Sequence, residues 1–205
     1  NIIYTQQSGD LKKSMECYEK AATGHQRQSS LWHAAKLLEK AGDAARDAKD
    51  FPAVEDYYNR SAEFYASEGR PATAAEALNR GARTMEDVDQ QAAVKMYLKA
   101  LEWIEDSGKD ALAGDIYRQA INFFVKTKNW DSAVAALLKF AVSLDNLQAT
   151  SSQAKAYLGT VVVCLASGDV SQGWSIYQDA LRIDAFSRSD EAFAADALFE
   201  AYRTA

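Results

Sequence analysis

Proline is almost missing from this chain, two in 205 residues, and only ten glycines accompany it. With no low-complexity block either, little room is left for a disordered linker. Cysteine is equally scarce. Cys17 and Cys164 stand alone, with no CxxC pair, which excludes a disulfide framework and fits reduced thiols in the cytosol. His25 and His33 are the only histidines, without HExxH spacing, so no metal centre is expected. The longest apolar run, LGTVVVCLA at 158–166, is far short of the roughly 20 residues a membrane-spanning helix needs. Positive charge is outweighed too. The net charge of −6 excludes a nucleic-acid binder that works by neutralising phosphates. Nucleotide signatures are missing: no GxxxxGK[ST] loop and no GxGxxG after a strand occurs, and GDVSQG (168–173) is a turn between helices. Carboxylates such as Asp43, Asp47, Asp50, Glu55 and Asp56 are scattered as on solvated helix faces. No enzyme and no cofactor is expected. The chain starts at Asn1 rather than Met, which reads as an internal fragment of a longer protein.

What the chain does contain is a period. Stepping by twenty from Tyr97, with one step of nineteen, gives Tyr18, Leu38, Tyr58, Leu78, Tyr97, Tyr117, Leu137, Tyr157 and Tyr177. Tyrosine and leucine together make up only about one residue in eight, so composition does not produce nine such rungs in succession. Three residues beyond each rung stand Ala21, Ala41, Ser61, Gly81, Ala100, Ala120, Phe140, Thr160 and Ala180, small in every case but Phe140. Positions i and i+3 share a helix face. A large side chain there acts as a knob, while the small one admits the neighbouring backbone.

Twenty residues accommodate a helix of about 14 and a short connection. Turn signals between rungs fall at Gly9-Asp10, Gly24, Lys49-Asp50, Gly69, Asp87-Val88-Asp89, Gly108, Lys128-Asn129, Ser151-Ser152 and Gly168-Asp169. Pro52 and Pro71 fall in first helical turns, where a missing N–H costs nothing. The short step is a connection at EDVDQQ (86–91) that has lost a residue. Helices are therefore predicted at 10–24, 30–48, 51–67, 71–86, 90–106, 110–127, 130–145, 151–167, 170–183 and 190–204. The apolar spacing is three and four throughout, with no strand pattern. The fold class is all-α, a right-handed solenoid of antiparallel helical hairpins with a repeat of about 40 residues, running as a single array over 1–205. Such arrays commonly hold other proteins.

Ala93, Tyr97 and Ala100 have tetratricopeptide spacing, and Ala133-Val134 echo the start of that motif, but the repeat is longer than the 34 residues of that family. Three strings carry a more specific likeness: LWHAAKLLEKAG (31–42), EGRPATAAEALNRGARTMEDVDQQAAV (68–94), which includes the short connection, and IDAFSRSDEAFAADALFEAY (183–202). In order and spacing they resemble the soluble NSF attachment proteins, or SNAPs, of the gamma type, over essentially the whole chain.

The resemblance implies an adaptor. SNAPs bind SNARE bundles on the concave side of an array of helical hairpins and recruit the hexameric ATPase NSF, which dismantles the bundle after membrane fusion in vesicle-mediated transport. It further implies a cytoplasmic protein, peripheral to membranes, whose N-terminal hairpin with its membrane-attaching loop and whose NSF-engaging C-terminal bundle lie outside this chain. SNARE-facing candidates are Arg70, which matches a basic contact position of the family, Lys155, which lies near another, and Arg80, Arg118 and Lys139 as further basic contacts. Two further contact positions fall on Glu76 and Asp115, reversing the sign and weakening attraction to an acidic bundle. The alternative is a generic tetratricopeptide-like scaffold outside the SNARE machinery.

Overall fold

The computed structural model describes the backbone of residues 2–108 and 110–204, and the side chains among them except 2–9, 106 and 110–112. The described residues form eleven helices and no strand. They fall into two compact units, Asn1–Lys109 and Asp110–Ala205. The first contains α1 (Ile2–Arg27), α2 (Leu31–Ala48), α3 (Phe51–Ser67), α4 (Pro71–Met85) and α5 (Gln90–Asp106). The second contains α6 (Asp110–Lys126), α7 (Trp130–Asn146), α8 (Thr150–Ser167), α9 (Val170–Ala180), α10 (Asp184–Ser187) and α11 (Asp190–Thr204). Within each unit successive helices pack on one another as antiparallel hairpins, and in the second α10 and α11 return onto α8. No helix among the described residues is long and apolar enough to cross a membrane.

The connections obey the same period as the rungs. Backbone φ is positive at Ser29, Lys49, Gly69, Gly108, Lys128, Gln148 and Gly168. These positions are twenty apart except across the shortened connection, where Val88 and Asp89 instead both donate to the Met85 carbonyl. After six of the seven, the next amide reaches back five residues. Ser30 donates to His25, Asp50 to Ala45, Arg70 to Tyr65, Asn129 to Phe124, Ala149 to Leu144 and Asp169 to Cys164, at 2.8–3.0 Å. This is the Schellman closure of a helix C-terminus, and it needs one left-handed residue. Glycine fills that place at 69, 108 and 168, and larger residues fill it elsewhere. The residue that closes one helix then caps the next: Asp50 and Asp169 accept from the amides of Ala53 (3.3 Å) and Gln172 (2.9 Å). Asp89 does the same for Gln91 and Ala92 at 3.0 Å after the short connection.

Four sequence expectations are corrected here. Gly9-Asp10 and Gly24 lie inside α1, which runs from Ile2 to Arg27 rather than over 10–24. A lone glycine costs a helix only about 1 kcal/mol and does not stop it without the Schellman bonds, which form at Ser29 instead. The turn placed at Ser151-Ser152 is at Gln148, and both serines belong to α8. Finally, α9 ends at Ala180 and a one-turn helix, α10, follows. Phe186 is the cause, since this break lets its ring bury against Tyr157 and Tyr177 at centroid distances of 5.6 and 6.3 Å.

The rungs form the core. Leu38, Tyr58, Leu78, Tyr97, Tyr117, Leu137 and Tyr177 are buried, as are the small residues at 41, 61, 81, 100, 120, 160 and 180. Tyr58 shows how the pair works. Its ring lies against Gly42 of α2 and its own Cβ against Gly81 of α4, so close that a methyl built on either glycine would come within 2.9 Å of it. Its hydroxyl donates to Asp43 Oδ1 at 2.8 Å. The buried Ser61 hydroxyl is likewise satisfied, donating to the Ala35 carbonyl at 2.9 Å. The ends of the ladder depart from the rule: Ala21 is exposed and Tyr18 only half-buried, because α1 is the outermost helix of its unit. Tyr157 is also half-buried.

Ion pairs tie alternate helices of the first unit together. Arg60 of α3 donates to Glu19 of α1 at 2.8 Å, and Tyr57 adds its hydroxyl to the same carboxylate at 3.1 Å. Arg80 of α4 pairs with Glu39 of α2, and Lys99 of α5 with Glu63 of α3 at 3.1 Å. Partly exposed pairs of this kind contribute up to about 1 kcal/mol each and serve more to set register.

Candidate protein-binding grooves

In the second unit an open groove of about 260 Å³ runs between α6 and α8, with α7 as its floor. Arg118 and Lys155 stand on its two sides, and Leu137, Phe140, Ile121 and Ala156 give it an apolar base. Phe140 is the residue that breaks the small-residue rule. A small side chain there would draw the neighbouring helix in. Phenylalanine instead stacks on Tyr117, ring centroids 5.0 Å apart, and stays partly accessible. Two sequence candidates thus meet in one groove. Their charges differ in availability: Arg118 is bound to Asp115 at 2.7 Å, one turn earlier, whereas Lys155 makes no ion pair among the described residues. The acidic residue found by sequence at 115 is therefore the local counter-ion of a basic candidate. Lys139 is exposed on α7 and does not line this groove.

In the first unit the candidates gather on α4. Arg70 is exposed at its N-cap and makes no side-chain cap. Glu76 and Arg80 lie on its outer face. Arg80 is held at both ends, by the Glu39 carboxylate and by the Tyr58 ring 6.0 Å beneath the guanidinium. Burial works against its charge, but Glu39 outweighs that and raises its pKa. Beside it a second groove, of about 440 Å³, opens between α2 and α4 over Tyr58. Arg46 and Arg83 line it together with Arg80. Neither Arg46 nor Arg83 emerges from sequence reasoning. The i, i+3 placement of Arg80 and Arg83 on one helix face was the available signal, and stepping one hairpin back from Arg83 arrives at Asp43, a turn from Arg46.

The two histidines stack at a centroid distance of 5.3 Å, where α1 meets α2. Among the described residues no group of three or more His, Cys, Asp or Glu side chains is placed to hold a metal ion.

Tetratricopeptide-like hairpins with open, cation-edged grooves between alternate helices define a helical-repeat protein. The family description "Soluble NSF attachment protein, SNAP" matches residues 5–205, and the chain belongs to that family. It is 36% identical over 195 residues to the gamma-soluble NSF attachment protein of Arabidopsis thaliana, covering 95% of this chain and 67% of that one. It is 24% identical over 186 residues to the protein of the same name from Dictyostelium discoideum, covering 91% of this chain and 57% of that one. The chain thus spans between half and two thirds of the length of these relatives. Among solved structures it is similar to BtubC (BKLC) from P. vanneervenii, at 18% identity and a TM-score of 0.41, covering 89% of this chain and 91% of that one.

Proposed function

We propose that this chain is the SNARE-holding part of an adaptor that brings the NSF ATPase to SNARE bundles for their disassembly in vesicle-mediated transport. The family match over residues 5–205 carries the reading. The α6–α8 groove gives it a physical form, because an apolar floor between Arg118 and Lys155 suits the ridge of an acidic helical bundle. Long-range attraction would come from the cations, and residence from the apolar contact. On this reading Lys155 contributes most of the charge in that groove, Arg118 being half-spent on Asp115. Arg70 supplies the first unit's contact, while Arg80 and Lys139 contribute less. The ATP chemistry belongs to the partner, as does the force.

Co-sedimentation of the full-length protein tests this. With ATP present and magnesium chelated, it should be captured with NSF and SNARE bundles and released when magnesium is restored. Lys155→Glu and Arg70→Glu should each weaken capture and flatten its dependence on salt. Capture that ignores nucleotide, or its complete failure, overturns the adaptor role. Unchanged binding by either variant removes that residue from the contact surface.

A further inference from the structure

The groove between α2 and α4 has a composition at odds with the chain around it. The protein is acidic overall, at −6, yet three guanidinium groups, Arg46, Arg80 and Arg83, line this one groove against a single carboxylate, Asp43. That carboxylate is already occupied, accepting from the Tyr58 hydroxyl at 2.8 Å and from Arg46 at 3.1 Å. Arg46 also holds Asp47, at 3.0 Å, and Arg80 holds Glu39. Arg83 makes no ion pair among the described residues. Arg80 is fixed on the Tyr58 ring, and Thr84 closes the far wall, its hydroxyl donating to the Arg80 carbonyl at 3.2 Å.

The groove is therefore preorganised and polar: carboxylates hold Arg46 and Arg80 in place, and Arg83 is left without one among the described residues. Guanidinium forks match the oxygens of a phosphate in pairs, and three of them face this one space, with Asp43 as the carboxylate in its lining. A volume of about 440 Å³ lies within the range of small-molecule sites. We propose that this groove binds a ligand carrying two or more neighbouring phosphate groups, one held between Arg80 and Arg83 and the other reached by Arg46. The site shares Arg80 with the SNARE-facing reading but rests equally on Arg46 and Arg83, which play no part in that proposal.

Calorimetric titration of the full chain with pyrophosphate and with inositol hexakisphosphate tests it. One ligand should bind per chain. Arg83→Gln and Arg46→Gln should each weaken binding roughly tenfold, the usual worth of a charge-assisted hydrogen bond. Asp43→Asn should tighten it, because repulsion is removed while the acceptor for Tyr58 is kept. A misfolded variant does not produce such a gain. Arg182→Gln, in the other unit, should change nothing. Absence of binding overturns the proposal. So does an equal loss in Arg182→Gln, which would mean attraction to charge in general. Equally tight binding of a non-phosphorylated acidic peptide, lost in the same variants, overturns it in favour of a carboxylate-reading surface. Phosphatidylcholine vesicles with and without phosphatidylinositol bisphosphate distinguish the source. Capture that needs the bisphosphate and Arg83 assigns the phosphates to a lipid headgroup, and indifference to it assigns them to a free ligand. Either result supports the site.

Discussion

At the scale of single residues, the large–small pair explains why tyrosine recurs where leucine or phenylalanine would bury as well. Tyr97 is fully buried, yet its hydroxyl reaches the edge of the core and donates to Glu86 Oε1 at 2.5 Å, at the start of the shortened connection. Burial, and then the Glu86 carboxylate, push its pKa upward, which is the signature of a phenol kept neutral. Tyr97→Ala should therefore cost about 3–5 kcal/mol, the range for large aromatic truncations in cores. Tyr97→Phe should cost less, about 1.5–3 kcal/mol, the loss of one bond to a charged acceptor. Urea melts of the two variants separate ring from hydroxyl. Equal losses would mean that the ring fills no slot. The rungs were legible in sequence because packing imposes a period on them. The basic candidates were not: a charge on a solvated face answers to no neighbour, and only coordinates show that Arg118 pairs with Asp115 while Lys155 makes no ion pair among the described residues.

At the scale of helices and their connections, two effects of glycine oppose each other. Gly81 lies inside α4, and replacing it with alanine would gain about 1 kcal/mol in helix propensity. The new methyl, however, would sit 2.3 Å from Met96 Cε and 2.9 Å from Tyr58 Cβ. Met96 can swing its terminal methyl aside, but Tyr58 Cβ is fixed to the α3 backbone, so the helices must part. Overpacking of this kind costs about 1–3 kcal/mol, and Gly81→Ala should be net destabilising in a thermal melt. Lys128 presents the reverse case. It holds the left-handed position at φ 56°, which glycine occupies without strain, so Lys128→Gly should stabilise by about 0.5–1 kcal/mol. A destabilised Lys128→Gly would show that its side chain is needed where it stands. Turns were legible where glycine, aspartate or asparagine marked them and missed at Ser29 and Gln148, where the sequence reading found no such mark. The period itself held that information, since stepping by twenty from Lys49 and from Gly168 reaches both. The grooves needed more: α6 and α8 are adjacent only through α7, and a floor residue such as Phe140 appeared in sequence merely as an exception.

At the scale of the whole molecule, ionisation limits stability from both sides of neutrality. On the acid side, the Arg60 hydrogen bond, aided by that of Tyr57, holds the Glu19 carboxyl below its ordinary value of 4.5 despite partial burial. A carboxyl whose pKa is depressed on folding adds stability that is complete above the ordinary value and disappears as pH falls through the folded one. On the alkaline side the direction reverses. Burial, joined by neighbouring carboxylates, pushes Tyr57 and Tyr65 up to about 12, and Tyr58 and Tyr97 are raised as well, from an ordinary 10.0. A phenol raised on folding gives stability that is complete below the unfolded value and is lost as pH climbs toward the folded one. Unfolding free energy should therefore be flat across neutrality, fall below the ordinary carboxylate value, and fall more steeply above about pH 10, where several phenols act together. In an alkaline titration, tyrosinate absorbance and loss of helical circular dichroism should rise in one shared transition. Tyr65→Phe should shift that transition upward and leave the acid limb alone, while Glu19→Gln should flatten the acid limb only. Phenols that ionise gradually near 10 with the helices intact would mean that these tyrosines stand in water, and the hairpin packing would fall with them.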